Sequence, residues 1–423
     1  MSDDLAEDRP SRLITRFVPV TGLALMLLFL IWNTGRAGLA SLLYNYAQKT
    51  NQLAAANAAV NLSPGDPNAH AMRGALLEAS NQLDAAIAEY EKAVQLRPDD
   101  FALWLSLARA RELNGQVDQA LTAARQALPL APFYSQTHWQ LGNLLVRAGQ
   151  LETGFAELRL ASASNPILLR ATIDLAWQLS GRDVEFVKKA IQPQNAEQYD
   201  ALAEYFRKHG EVTEAVLMFS SAGNDAEVIR AREQYAQELI TTKRFREAYT
   251  LWSFGRAQDY SGNLVDPGFE REGKLGEPSF GWRTETKVQT IMFALEPVNP
   301  KQGKSSLKIE FTGDSNPALP IVSQLVLAEP NTHYQVSFVA RTENIVSGAL
   351  PRVTVVDAAS KEILGETQPF PKAVNNWQDY TIDFKSKETT QAILISLQRE
   401  TCAKLPCPIF GRVWLDNFSL LKL

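Results

Sequence analysis

Three patterns of hydrophobic and polar positions succeed one another along the chain. Between Arg16 and Arg36 no residue is charged, and the run from Phe17 to Trp32 (FVPVTGLALMLLFLIW) is apolar on every side. A stretch this long approaches the ~20 residues that carry a helix across a bilayer, so a transmembrane helix is expected over 17–35. From Ala37 to Tyr260 the apolar and small residues recur at helical spacing: Ala196, Tyr199, Leu202, Ala203 and Phe206 form one helix face, Ala215, Phe219 and Ala222 the next. After Tyr260 the period falls to two. Leu307, Ile309 and Phe311 alternate with polar neighbours, as do Tyr334, Val336 and Phe338, then Tyr380, Ile382 and Phe384, then Ile393, Ile395 and Leu397. Each run predicts a half-buried strand, and the turn formers SGNLVDPG mark the boundary. The fold class is therefore multidomain: a tail over 1–16, the membrane helix, an α-helical array over 37–260 and an antiparallel β-sandwich of eight or nine strands over 263–423.

The helical part is a repeat. Pro64, Pro98, Pro132 and Pro166 follow one another every 34 residues. Aligned on them, the segments from Pro67, Phe101 and Ser135 carry Gly74, Ala108 and Gly142 at their eighth positions. Their twentieth positions are Ala86, Ala120 and Gly154, and their twenty-seventh Ala93, Ala127 and Ala161. Small residues let two antiparallel helices approach closely, and proline stops the second helix of each pair. With Trp104 at the fourth position and Tyr90 at the twenty-fourth, this resembles the tetratricopeptide repeat (TPR). The register is lost between Leu169 and Pro193 and returns from Ala196, giving five clear units and two degenerate ones, with 37–64 as a half-formed first repeat. The resemblance implies a concave groove for a protein or peptide, lined by Arg109, Glu112, Trp139, Asn143, Asp200 and Glu204. The groove type that grips a C-terminal carboxylate with lysine and asparagine is not implied, because its positions hold Ala71, Ala75, Leu105 and Arg109.

The last domain resembles the galactose-binding-like jelly rolls of carbohydrate-binding modules. Carrying the likeness are NLVDPGFE at 263–270, Gly281–Trp282, GKSSLKIEF at 303–311, NNWQDYTIDF at 375–384 and VWLDNFSL at 413–420. It implies a structural calcium between Glu270 and Asp416, oxygen ligands suiting that hard cation; the alternative is that Glu270 caps a turn and Asp416 bonds backbone. Sugar recognition needs an aromatic plate and planar polar groups on a concave surface, for which Trp282, Gln324, Arg341, Trp377 and Gln398 are candidates. Trp282, outside any alternation, is expected on the surface, with Gln324 and Arg341 on neighbouring strands. Trp377 is expected in the core.

Charge and cysteines fix the setting. A net charge of -5 offers no basic excess, so nucleic acid is not an expected partner. Arg9, Arg12 and Arg16 precede the apolar run and only Arg36 and Lys49 closely follow it, so the N-terminus is expected in the cytoplasm and the rest outside the inner membrane. A cleavable signal peptide is the alternative, with Gly38 and Ala40 before Ser41 as the small-residue pattern. Cys402 and Cys407 are expected to pair on the oxidising side. Phosphate loops, GxSxG and HExxH are missing, and His70, His138, His209 and His333 are scattered. The expected function is a non-catalytic, membrane-anchored scaffold with a glycan-binding module, within surface-polysaccharide assembly. A pure protein scaffold and an unrecognised glycan hydrolase are the alternatives.

Overall fold

The apolar run and the first half-repeat form one unbroken helix, α1 (Ile14–Thr50). Residues 23–35 of it are exposed, and it is the single helix among the described residues long and apolar enough to cross a membrane. Its second half buries Ala40 and Ala47 and sets Leu43 and Tyr44 against α2 (Leu53–Leu62) and the helix that follows. Arg36 donates from Nη2 and Nε to the Leu62 carbonyl at 2.7 and 3.1 Å, satisfying an acceptor at the end of α2 that the helix itself cannot. The structure, a computed structural model, describes residues 14–254, 260–261, 264–271, 275–276, 279–284, 289–402 and 406–423, with backbone alone at 14–22 and 260–261. The expectations for the tail before residue 14 and for Asn263 lie outside these residues. Two compact units divide the chain, Met1–Pro193 and Gln194–Leu423.

In the first unit, α3 (Pro67–Ala79) pairs with α4 (Leu83–Leu96), α5 (Phe101–Leu113) with α6 (Val117–Ala127), α7 (Ser135–Arg147) with α8 (Leu151–Ser164), and α9 (Ile167–Leu179) with α10 (Val184–Ile191). The 34-residue period sets each start. After Pro64 and Pro98 end the preceding helix, Asp66 and Asp100 accept from the amides of Asn68 and Ala102 and cap the next one. Small residues sit where the pairs touch. A Cβ on Gly142 would lie 2.8 Å from Leu158 Cγ, and one on Gly154 2.7 Å from Val146 Cγ2 and 2.9 Å from its backbone nitrogen. Where the repeat register fails, α10 has only eight residues and ends on Gln192 in the left-handed region, φ 48°.

The second unit holds α11 (Ala196–His209) with α12 (Val212–Ser221) and α13 (Ala226–Thr241) with α14 (Phe245–Ser253), the fold class that the sequence predicts: a TPR-like helical solenoid followed by antiparallel sheets. Twelve strands occur among the described residues rather than eight or nine, the excess coming from short pieces: β1 (Tyr260–Ser261), β2 (Leu264–Val265) and β3 (Arg283–Thr284) have two residues each. The longer strands are β4 (Ile291–Glu296), β5 (Ser306–Asp314), β6 (Val322–Leu327), β7 (His333–Ser347), β8 (Pro351–Asp357), β9 (Ile363–Glu366), β10 (Val374–Lys385), β11 (Ala392–Arg399) and β12 (Pro408–Lys422). Together with β3 they build two five-stranded antiparallel sheets, ordered β10-β7-β12-β5-β4 and β3-β6-β11-β8-β9. The alternating residues face inward as expected: Leu307, Ile309, Phe311, Val336, Phe338, Ile393, Ile395 and Leu397 all enter one core. Trp252 and Tyr249 of α14 close on Phe280 at 5.5 and 5.0 Å, and Gln237 donates to Ser279 Oγ at 2.7 Å, so the last helix pair is docked on the sandwich.

Candidate functional site

In the first unit, the fourth residue of the repeats that begin at Pro67, Phe101 and Ser135 is an anchor. Trp104 Nε1 donates to the Pro98 carbonyl at 2.7 Å, and His70 and His138 put Nε2 3.0 and 2.7 Å from the carbonyls of Pro64 and Pro132. The two histidines turn Nδ1 to Glu89 and Glu157, at 2.8 and 2.6 Å, whereas the tryptophan repeat has Ala123 in that place. Burial alone would raise the Glu89 carboxyl; hydrogen bonds and charges from Arg73 and His70 outweigh it and hold that carboxyl below its ordinary range. Both ring nitrogens of His70 and of His138 are thus engaged in holding the repeats together.

The groove candidates follow the first helices. Arg109 on α5 reaches back to Glu78 on α3 at 2.9 Å, and Arg147 on α7 reaches Glu112 on α5 at 2.6 Å. In the second unit Arg207 bridges Glu204 and Glu238, both at 3.0 Å, joining α11 to α13; Asp200 lies one turn before Glu204. Half-exposed pairs of this kind stabilise by at most about 1 kcal/mol each. Their larger effect is to fix neighbouring first helices. Sequence reasoning missed Glu78 and Arg147, although separations of 31 and 35 residues bracket the repeat length and were a readable signal. Trp139 is half-buried, its backbone carbonyl accepting from Asn143 Nδ2 at 2.8 Å.

On the sandwich the expected sugar residues separate. Trp282 is not a surface plate: it is 3% exposed, packs on Phe269 and Phe418 at 5.0 and 4.9 Å, and donates from Nε1 to the Asp266 carbonyl at 3.0 Å. Gln324 is fully buried, donating to Val265 O at 2.7 Å and accepting from Val265 N at 3.2 Å. A side-chain amide thus serves as a missing ladder rung for the short β2. Gln324 on β6 and Arg341 on β7 lie in different sheets, not on neighbouring strands, and Gln398 on β11 shares the sheet of Gln324.

Arg341 and Trp377 do come together, and Trp377 is half-exposed rather than core. They begin a row that crosses all five strands of the first sheet: Trp377 on β10, Arg341 on β7, Trp414 on β12, Lys308 on β5 and Glu296 on β4. The Arg341 guanidinium stands 5.3 Å from the Trp377 ring centre and 4.2 Å from that of Trp414, within cation–π range of both. Its Nε is shielded and meets no acceptor. Trp414 Nε1 donates to Glu296 Oε2 at 3.0 Å, and Lys308 Nζ is 3.3 Å from the same oxygen. Burial would raise the Glu296 carboxyl, but Trp414 and Lys308 outweigh it, so this acceptor stays ionised. In the next row Arg412 lies between Glu310 and Glu343, at 3.1 and 3.2 Å. Trp414 is only 5% exposed beneath Arg341 and Lys308, so Trp377 is the accessible ring of the row, set beside a planar cation and a fixed carboxylate, groups that suit a polyhydroxylated ring. Trp414 was missed because strand alternation places it outward without saying what it would meet.

Glu270 and Asp416 approach the same point beside Gly268, whose Cβ would lie 3.5 and 3.8 Å from their oxygens. Asp416 accepts from the amides of Lys301, Gln302 and Asn417, and Glu270 Oε2 from that of Lys304. Burial raises the Asp416 carboxyl, the three amides oppose it, and the charge of Glu270 adds to the rise. The pair fits a hard cation in charge but leaves Glu270 Oε1 as the oxygen not taken by an amide, and no third acidic, His or Cys ligand joins it among the described residues. Cys402 and Cys407 form a disulfide.

The sequence profile of the TPR repeat matches residues 76–115. Among solved structures, YrrB, described as a TPR protein with an unusual peptide-binding site, is 20% identical with a TM-score of 0.32, over 41% of this chain and 90% of that one. A MamA protein is 16% identical with a TM-score of 0.34, over 43% and 95% of the two chains. A MamA fragment from Desulfovibrio magneticus RS-1 is 19% identical, with a TM-score of 0.34, over 41% and 96%. Comparison with curated proteins finds no match.

Proposed function

We propose that this protein is a membrane-anchored, non-catalytic scaffold that offers its solenoid, outside the cytoplasm, to a protein or peptide partner. The observation that carries the reading is Trp139 with Asn143 on α7, next to an α5 that bears Arg109 and Glu112. Aromatic and arginine side chains are the anchors that protein interfaces favour. The anchor is α1 kept whole: cleavage after Ala40 would cut the helix between Arg36, which holds α2, and Ala47, which packs beneath it. The arginines before the apolar run support an N-terminus in the cytoplasm and a bulk beyond the inner membrane. Alkaline carbonate extraction of cell membranes, followed by intact-mass measurement, is expected to leave the full-length chain in the pellet. A soluble form beginning near Ser41 would end this reading.

A second reading is favoured by the row Trp377–Arg341–Trp414: the sandwich binds a glycan there, in surface-polysaccharide assembly, with calcium held by Glu270 and Asp416 stiffening the loop at 301–304. A glycan array probed with the full-length protein in detergent micelles, with calcium and with chelator, tests it. Trp377→Ala is expected to weaken the bound glycan by about 1–3 kcal/mol with only a small drop in melting temperature, since the ring is half-exposed although its Nε1 donates to the Asn299 carbonyl at 3.1 Å. If no glycan binds, the sandwich is part of the protein scaffold alone, and a melting temperature indifferent to chelator removes the calcium.

A further inference from the structure

A cavity of about 320 Å³ opens on the outer face of the other sheet, where α13 and α14 lie over β3, β6 and β11. Its polar lining is Arg283, Thr284, Ser323 and Lys361: two cations, two hydroxyls and no acid. Arg283 is the deeper cation. Its Nη2 donates to the Ser279 carbonyl at 2.9 Å, its Nε is cut off from solvent and meets no acceptor, and no carboxylate among the described residues pairs with it. Burial accordingly pulls this guanidinium below its ordinary value. A half-buried cation whose Nε is shielded and lacks a counter-charge is costly, and a carboxylate entering the cavity would relieve it through the bidentate geometry that guanidinium favours. Lys361 stands at the rim, on a turn in which its φ is 64° and its amide bonds the Asp357 carbonyl. Among the described residues beside Lys361, Asp357 accepts from Thr390, Ala359 and Ser360, and Glu362 pairs with Lys387.

We infer that this pocket binds a small hydroxylated carboxylate of the sugar-acid class, one uronic acid residue filling it. The carboxylate meets Arg283, ring hydroxyls meet Ser323 and Thr284, and a carbon face of the ring rests on Phe245, Leu325 and Leu394. An acidic peptide side chain would leave both hydroxyls unused. The site is on the sheet opposite the tryptophan row and does not depend on it.

Calorimetric titration of the full-length protein in detergent micelles with methyl glucuronide, methyl glucoside and N-acetylglutamate decides the matter. The glucuronide is expected to bind at least about tenfold more tightly than the uncharged glucoside, and more tightly than N-acetylglutamate. Arg283→Met should weaken it by about tenfold or more, and Lys361→Asn by a few-fold, asparagine being chosen because it tolerates the left-handed turn. Trp377→Ala should leave it unchanged, which separates this site from the sheet-face reading. If Arg283→Met does not fold, Lys361→Asn and the three ligands carry the test. Equal affinity for glucuronide and glucoside, tighter binding of N-acetylglutamate, no heat at millimolar glucuronide, or indifference to Arg283→Met would each overturn the inference.

Discussion

Trp282→Ala is expected to destabilise the sandwich by about 3–5 kcal/mol, the cost of deleting a large aromatic from a core. The ring fills the end of the sandwich between Phe269 and Phe418, and Phe418 continues the stack to Phe338 at 4.8 Å. Removing it opens a void bordered by rigid rings, which cannot collapse as flexible aliphatic side chains do. The Asp266 carbonyl would lose the donor it has at 3.0 Å. Urea denaturation of the full-length protein, followed through the remaining tryptophans, reads the loss as a lowered midpoint. A change below about 1 kcal/mol would mean that the ring is not in the core, and the surface role first expected for it would return.

The second large effect is expected at Arg399, a 3% exposed guanidinium at the end of β11. It donates to the carbonyls of Ser315 and Cys407 at 2.9 and 2.7 Å and to the hydroxyls of Ser315 and Ser347 at 3.0 and 2.9 Å. Burial pulls its pKa down, and Asp314 partly restores it. One side chain thus ties the loop after β5, the β7–β8 turn and the start of β12, where the disulfide also lies. Arg399→Met keeps much of the volume but leaves buried acceptors without donors, at about 1–3 kcal/mol each, so a total loss of about 3–5 kcal/mol is expected. Arg399→Lys should recover only part of it, since an ammonium cannot span the same acceptors. Both variants can be followed by the same denaturation, and a wild-type midpoint for Arg399→Met would refute the tie.

The contrast between these residues and the repeats explains what could be read in advance. Pro64, Pro98 and Pro132 each precede a first helix and accept from its fourth residue, so a period of 34 residues made the helix pairs and the small residues between them legible, whereas the aspartate caps occur only at Asp66 and Asp100. Alternation likewise assigned Ile309 or Ile395 to the core, because inward and outward are properties of one strand. It cannot assign a strand to a sheet. Gln324 and Arg341 stand on consecutive strands, yet the chain crosses from one sheet to the other between them, and so the imagined sugar face dissolved. Trp282 precedes a two-residue strand with no alternation to orient it. Arg399 is buried only because acceptors from three distant segments converge on it, and nothing near it in the sequence records that. The row through Trp377, Arg341 and Trp414 was half visible for the same reason: each residue faces outward locally, but their meeting is a fact of strand order.

The scaffold reading is tested most directly by photo-crosslinking in intact cells, with a benzophenone amino acid placed singly along the solenoid of the full-length chain. Positions 109 and 139, on first helices, are expected to give a discrete heavier adduct with one protein, and Asn143→Ala combined with the probe at 139 should weaken it. Positions 88 and 125, exposed on the second helices α4 and α6, should give none. Adducts of equal yield from both helix faces, or none from 109 and 139, would contradict the claim that this solenoid presents its first-helix face to a protein partner.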